Sequence, residues 1–311
     1  MTAPGDGEPI ASDWSRFWRA LTVSRYQYQL TRFVILRLLG LVWLLAFLGV
    51  ALQMRPLFGS HGLTPARDYL ELLRANGYGF HRFPTLFWLS TDDTFMQLMA
   101  WLGVALSLAL LLGWANLPQL LLLWFLYLSF IVVGQDWYGY GWEMQLCETG
   151  YLCAFLAAPL DPRPLPARRP ALIAIVLLRW LAIRIMLGAG LIKLRGDACW
   201  RDLTCLDYHF ETQPLPNPFS PSFHVLPHAA LAGGVLYNHL CEVVSPLLAF
   251  GPRLARLIAG TLMLSFQTTL IVTGNLSFLN LLTIVPILAC FDDRFLRRLM
   301  PARLRAWIDR R

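Results

Sequence analysis

Apolar residues in this chain gather into long uninterrupted blocks, and the blocks are separated by polar stretches in which nearly every cation is arginine. A helix that crosses a bilayer needs about 20 mostly apolar residues. Runs of that kind occur at approximately 33–52, 95–113, 117–134, 143–160, 171–192, 229–249, 255–273 and 276–291. The fourth, sixth and eighth are weaker, because they carry polar residues or are short. The pattern predicts an all-α, polytopic transmembrane bundle of about eight spans over residues 33–292, flanked by an N-terminal segment (1–32) and a basic C-terminal tail (293–311).

Two connections are too long to be turns. In residues 53–94, the stretch "FGSHGLTPARDYLELLRANG" predicts a short helix, with Thr64 as its cap, Pro65 at its first position and Gly77 just past its end. Residues 193–228 contain Asp197, Trp200, Arg201, Asp202 and His209, together with Pro214, Pro216, Pro218, Pro221 and Pro227. Long irregular segments in compact domains are usually functional or disordered. The aromatic and charged content here points to order, and the expectation is an irregular outer cap built from both loops. The tight loop "GQDWYGYGWE" faces the same side.

Composition agrees with the pattern. The chain is 57% hydrophobic and 14% charged, with a mean hydropathy of +0.52, whereas about 25% of residues are charged in a soluble domain. Cations beside short loops stay on the cytoplasmic side. Arg16, Arg19, Arg25, Arg32, Arg37, Arg163, Arg168, Arg169, Arg253, Arg256 and the tail arginines from Arg294 to Arg311 all fall on one side, so both termini are expected in the cytoplasm. The net charge of +7 then faces anionic lipid and calls for no nucleic acid. Residues 1–32 are too polar for a cleavable signal peptide, and the first apolar run is expected to serve as an uncleaved anchor. The arginine bias and short length point to a bacterial inner membrane; in a eukaryote the same orientation would place the cap in the lumen of the endoplasmic reticulum. Cys147, Cys153, Cys241 and Cys290 lie in apolar runs as small buried thiols, while Cys199 and Cys205 lie in the outer loop, where a disulfide can form.

Ionisable residues inside spans cost about 2.5–3.5 kcal/mol each on insertion scales, so they normally face the bundle interior. The fourth run holds Glu143, Gln145 and Glu148; the fifth holds Arg179, Arg184 and, near its outer end, Lys193; the sixth holds Asn238, His239 and Glu242. Arg179, Ala182, Met186, Ala189 and Lys193 recur at helical spacing and draw one stripe, beside which Gly188, Ala189 and Gly190 permit close approach. One reading is a set of separate interhelical pairs, such as Glu148 with Arg184. The favoured reading is a shared polar cavity open to the outer side, lined by Glu148, Lys193, His239 and Glu242. Lys193 is the sole lysine among the 26 basic residues. Burial can make a lysine a base or nucleophile, which an arginine cannot become; against this, a compositional bias to arginine can leave one lysine by chance. Asp197, Cys199, Cys205, Asp207, His209 and Glu211 offer metal-ligand atoms, but their spacing fits no zinc pattern, so no metal is predicted. Nucleotide-binding, serine-hydrolase and zincin motifs are absent from the sequence.

The segments "LTRFVILRLLGLVWLLAFL", "GSHGLTPARDYL", "ETGYLCAFLA", "IRIMLGAGLIKLRGDACWRDLTCLDYHFETQPLPNP" and "GNLSFLNLLTIVPILACFDD" resemble the lipase maturation factor family, over roughly residues 30 to 295. The resemblance implies a multi-pass membrane protein that helps secreted lipases to fold, with eukaryotic members in the endoplasmic reticulum. Family members carry a large non-membrane region after the membrane part, and the sequence in hand ends at Arg311. "GLIKLRGDACW" is also distantly similar to the lysine-bearing stretch of the vitamin K-dependent gamma-glutamyl carboxylase. That similarity implies an alternative: a membrane enzyme acting on a quinone or lipid, with Lys193 as base, His239 and Glu242 positioning it, and a reduced quinone as cofactor. The partners expected are membrane lipid and a secreted lipase or other secreted client.

Overall fold

The computed structural model describes residues 27–166, 168–302 and 305–306, and among these it is helical with no β-strand. Most of the expected N-terminal segment, and most of the tail beyond residue 302, lie outside the described residues. Among the described residues five helices are long and apolar enough to cross a membrane: α1 (Gln29–Phe58), α3 (Asp93–Leu112), α4 (Leu117–Gly134, continued by a 3-10 turn to Tyr138), α6 (Leu172–Gly196) and α8 (Arg253–Thr273). A short surface helix, α2 (Ala66–Ala75), follows α1.

Two of the three weaker runs are shorter in the structure than the sequence suggests, and the third keeps its length but changes helix type. α5 spans only Gly141–Ala154, and α9 only Leu279–Ile287 before a 3-10 turn. The run at 229–249 is a rod of three geometries: α7 (His228–His239), a π-turn (Leu240–Val244) and a 3-10 segment (Ser245–Phe250). Pro246 has no N–H to donate to the carbonyl four residues back, that of Glu242, and the backbone changes its hydrogen-bond register there. Apolar composition does not report such breaks, and it overstated the lengths of α5 and α9.

The packing centre is aromatic. Phe47 of α1 meets Tyr127 of α4 edge-on, with ring centroids 5.2 Å apart, and also faces Phe130. A Cβ at Gly103 would fall 2.3 Å from the Phe47 ring, so glycine is what lets α3 lie against α1 at this depth.

Both described ends of the chain lie at one end of the bundle. The Asp293 carboxylate accepts hydrogen bonds from the backbone N–H groups of Gln29, Leu30 and Thr31 at 2.9 to 3.1 Å. It thereby caps α1, whose own preceding residue, Tyr28, offers no side-chain cap. Neighbouring Asp292 caps α10 (Asp293–Leu299) and pairs with Arg253 and Arg256. Burial works against the Asp292 carboxylate, but the Arg253 and Arg256 guanidiniums and the Phe295 N–H hold it below the ordinary range.

At the opposite end the two long loops form an ordered cap. Thr64 does not cap α2 as expected. Its hydroxyl donates to the Leu57 carbonyl and accepts from the Trp137 indole, and Pro65 stands just outside the helix. Gly77 takes the left-handed conformation after α2, with φ of 76°. In the second loop Gln213, Asn217 and Ser220 donate to the carbonyls of Ile271, Thr273 and Gly274, which end α8 without helical partners. The polar residues scattered through the proline-rich stretch thus fasten the cap to the bundle.

Candidate functional site

The site sits where α6 enters the cap. Lys193, in the last turn of α6, donates to Glu242 Oε1 and Oε2 at 2.8 and 2.7 Å and to Asn238 Oδ1 at 2.7 Å. Three oxygens therefore meet the three N–H donors of an ammonium. Asn238 also donates to Glu242 Oε2 at 3.1 Å, closing the triangle. Asn238 and Glu242 are four apart, so one face of the rod carries both. The Glu242 side chain is 5% exposed and that of Lys193 25%.

Aromatic rings close the remaining sides. The ammonium lies 5.0 Å from the centroid of the Trp200 ring and 5.6 Å from that of Phe266 on α8. Trp200 belongs to a helical turn (Ala198–Arg201) whose N-terminus is capped by Asp197, and which is stapled by the Cys199–Cys205 disulfide. Its carbonyl accepts from His239 Nε2 at 2.9 Å, so the imidazole faces the cap and not the carboxylate. Arg201 folds back to donate to the Leu194 carbonyl, and Asp202 ends the turn. His209 contacts Gln213; burial and the nearby Lys193 ammonium hold its imidazole below the ordinary value.

The other expected cavity residues lie elsewhere. Glu148 pairs with Arg184, nine residues before Lys193 on the same helix and therefore roughly 13 Å away along its axis. Both side chains are substantially exposed, so Glu148 is not part of a cavity shared with Lys193. Arg179 donates to the Ala289 carbonyl and the Tyr28 hydroxyl near the terminal end, and Gln145 donates to Thr283. Among the cap's ligand-type residues, Asp207 pairs with His228 and Glu211 with His224. The predicted stripe on α6 does face inward: Arg179 and Met186 are buried against α8 and α9 neighbours, with Gln267 donating to Met186 Sδ.

Sequence reasoning missed Asn238 as the partner of Lys193 because it paired His239 with Glu242 by three-residue spacing. The signal that could have found it is the four-residue spacing of Asn238 and Glu242, which puts both on one helix face. Phe266 carried no signal in a helix of similar residues.

A family model described as "Lipase maturation factor transmembrane domain" matches residues 30–298. The chain belongs to the lipase maturation factor family. Lipase maturation factor 1 of Bos taurus is 44% identical over 96% of the chain, and that of Homo sapiens 45% over 96%. Lipase maturation factor 2 of Homo sapiens is 36% identical over 86%. The chain covers 54%, 53% and 41% of these three proteins, so it spans about half the length of the nearer ones. No solved structure matches. With its family domain and five long apolar helices, the chain is a multi-pass integral membrane protein. Nothing in these relatives supports the carboxylase-like alternative, and Lys193 Nζ is engaged by Glu242 and Asn238.

Proposed function

We propose that this lipase maturation factor family member assists the maturation of secreted lipases, and that it does so as a scaffold whose cap meets the client. The observation that carries this is the identity of 44% running through 96% of the chain, cap and bundle alike. The Lys193 node supports the scaffold role: it joins α6, the π-turn of the rod, α8 and the disulfide-stapled turn, so the cap is held in one position. We propose in addition that the terminal end is cytoplasmic, following the arginine asymmetry, and that the membrane is that of the endoplasmic reticulum or its equivalent. The bacterial inner membrane finds no support in the comparisons.

A chimera tests the reading. Residues 30–298 would replace the matching segment of bovine lipase maturation factor 1 in cells lacking their own factor, and active secreted lipase would be measured. The expected result is restored secretion. A chimera that reaches the membrane in normal amount yet restores no active lipase would overturn it.

A further inference from the structure

At the terminal end, the start of α4, the end of α5 and the start of α6 enclose a cavity of about 550 Å³. That lies within the roughly 300–1,000 Å³ of ordinary ligand pockets. Its walls are hydrocarbon and aromatic, including Leu117, Leu152, Phe155, Ile173 and Leu177. Phe155 and Ile173 are each about half exposed at 47% and 49%, so the cavity opens sideways, where the apolar helix surfaces face lipid. Two exposed guanidiniums, Arg168 and Arg169, stand at its mouth, and no carboxylate lines it. Neither side chain has an ionic or hydrogen-bond partner among the described residues. Asp161, the nearest acid in sequence, is taken by Arg163.

The mouth is built rather than incidental. Arg32 of α1, 2% exposed, donates to the carbonyls of Pro166 at 3.1 Å and Arg168 at 2.7 Å. A buried cation is thus used to fix the backbone that presents the two unpaired ones. α6 begins directly behind them at Leu172, with no acid in its first turn and no side-chain cap, so its N-terminal dipole adds to the positive field.

We infer that this cavity binds an anionic phospholipid, with one acyl chain against the Leu117, Leu152 and Leu177 wall and the phosphate between Arg168 and Arg169. An apolar slot demands hydrocarbon, and paired guanidiniums demand a phosphate or carboxylate; a phospholipid of net negative charge carries both. The assignment is independent of what the cap does.

The test uses the full chain purified in detergent, offered equal amounts of phosphatidylserine and phosphatidylcholine with identical acyl chains, and read by native mass spectrometry. Phosphatidylserine should be retained preferentially, and the Arg168→Gln, Arg169→Gln double variant should lose that preference by roughly 30-fold, from two interfacial charges. Ile173→Trp, which fills the slot, should reduce retention of both lipids. Soluble glycerophosphoserine should not compete. Equal retention of the two lipids by the unaltered protein, a preference untouched by the double variant, or full competition by glycerophosphoserine would each overturn the assignment. Melting temperatures of both variants, expected to match the parent because the altered side chains are exposed, separate loss of binding from loss of fold.

Discussion

Lys193 answers at the residue scale why one lysine stands among so many arginines. A compact ammonium with three donors fits between Asn238 and Glu242 with rings on two sides, whereas a planar guanidinium needs room and a forked acceptor. Removing one partner of a buried pair costs about 3–5 kcal/mol, because the other charge is left unpaired. Lys193→Met should therefore destabilise the protein by about 3 kcal/mol, the low end applying because the ammonium keeps some exposure. Glu242→Leu should cost a similar amount, and the double variant much less than the sum. Unfolding of the four proteins in detergent checks this; strict additivity would mean that the pair is not coupled. The lysine was visible in the sequence as an anomaly, but its role was not, since a base and an ion-pair centre look alike in one dimension. The three oxygens around Nζ come together only in the folded geometry.

His209 makes the second residue-scale prediction. Its imidazole is held below the ordinary value, first by burial and then by Lys193. A depressed folded value means the unfolded chain binds the proton more readily. The neutral ring's contribution is complete above the unfolded value of about 6.5, and is lost as pH falls through the folded one. Protease resistance of the cap should decline between pH 7.5 and 5, and His209→Phe should flatten that decline.

Among elements, the long helices were legible because a block of 20 apolar residues has few alternatives. The short ones were not, because length in a bundle is set by proline, by polar contacts and by where neighbours end. The "GAG" motif shows the limit. Gly188 and Gly190 look equivalent in sequence, yet a Cβ at Gly188 meets nothing within 4 Å, while one at Gly190 would fall 2.7 Å from Val243 Cγ2 and 3.0 Å from Glu242 Cβ. Gly188→Ala should stabilise by about 0.5–1 kcal/mol through helix propensity. Gly190→Ala should destabilise by about 1–3 kcal/mol by forcing the rod away from α6. Thermal melts of the two variants should move in opposite directions; a shift of the same sign would show that the rod is not held against Gly190. The cap was legible as ordered, but its fastening to the exposed carbonyls of α8 was not, since no local pattern links Asn217 to Ile271.

For the whole molecule, the two ends of the bundle are constructed differently. The cap end is held by a disulfide, an ion-pair node and side chains closing a helix terminus, which together keep the cap in place. The terminal end is held by arginines on backbone carbonyls, which leaves Arg168 and Arg169 to face outward. The placement of both described ends on one side follows from the pattern of apolar blocks alone. The link between them does not, because Gln29 and Asp293 are 264 residues apart and nothing local joins them.

That link also orders events in time. A ribosome delivers α1 long before Asp293, so this helix enters the membrane with its first N–H groups unmet by any side chain of its own. They gain their carboxylate only when residue 293 has been made and the chain has folded back. Arrival of Asp293 is thereby written into the stability of a helix made 264 residues earlier, and a chain stalled before it would present the membrane's quality control with an open helix end.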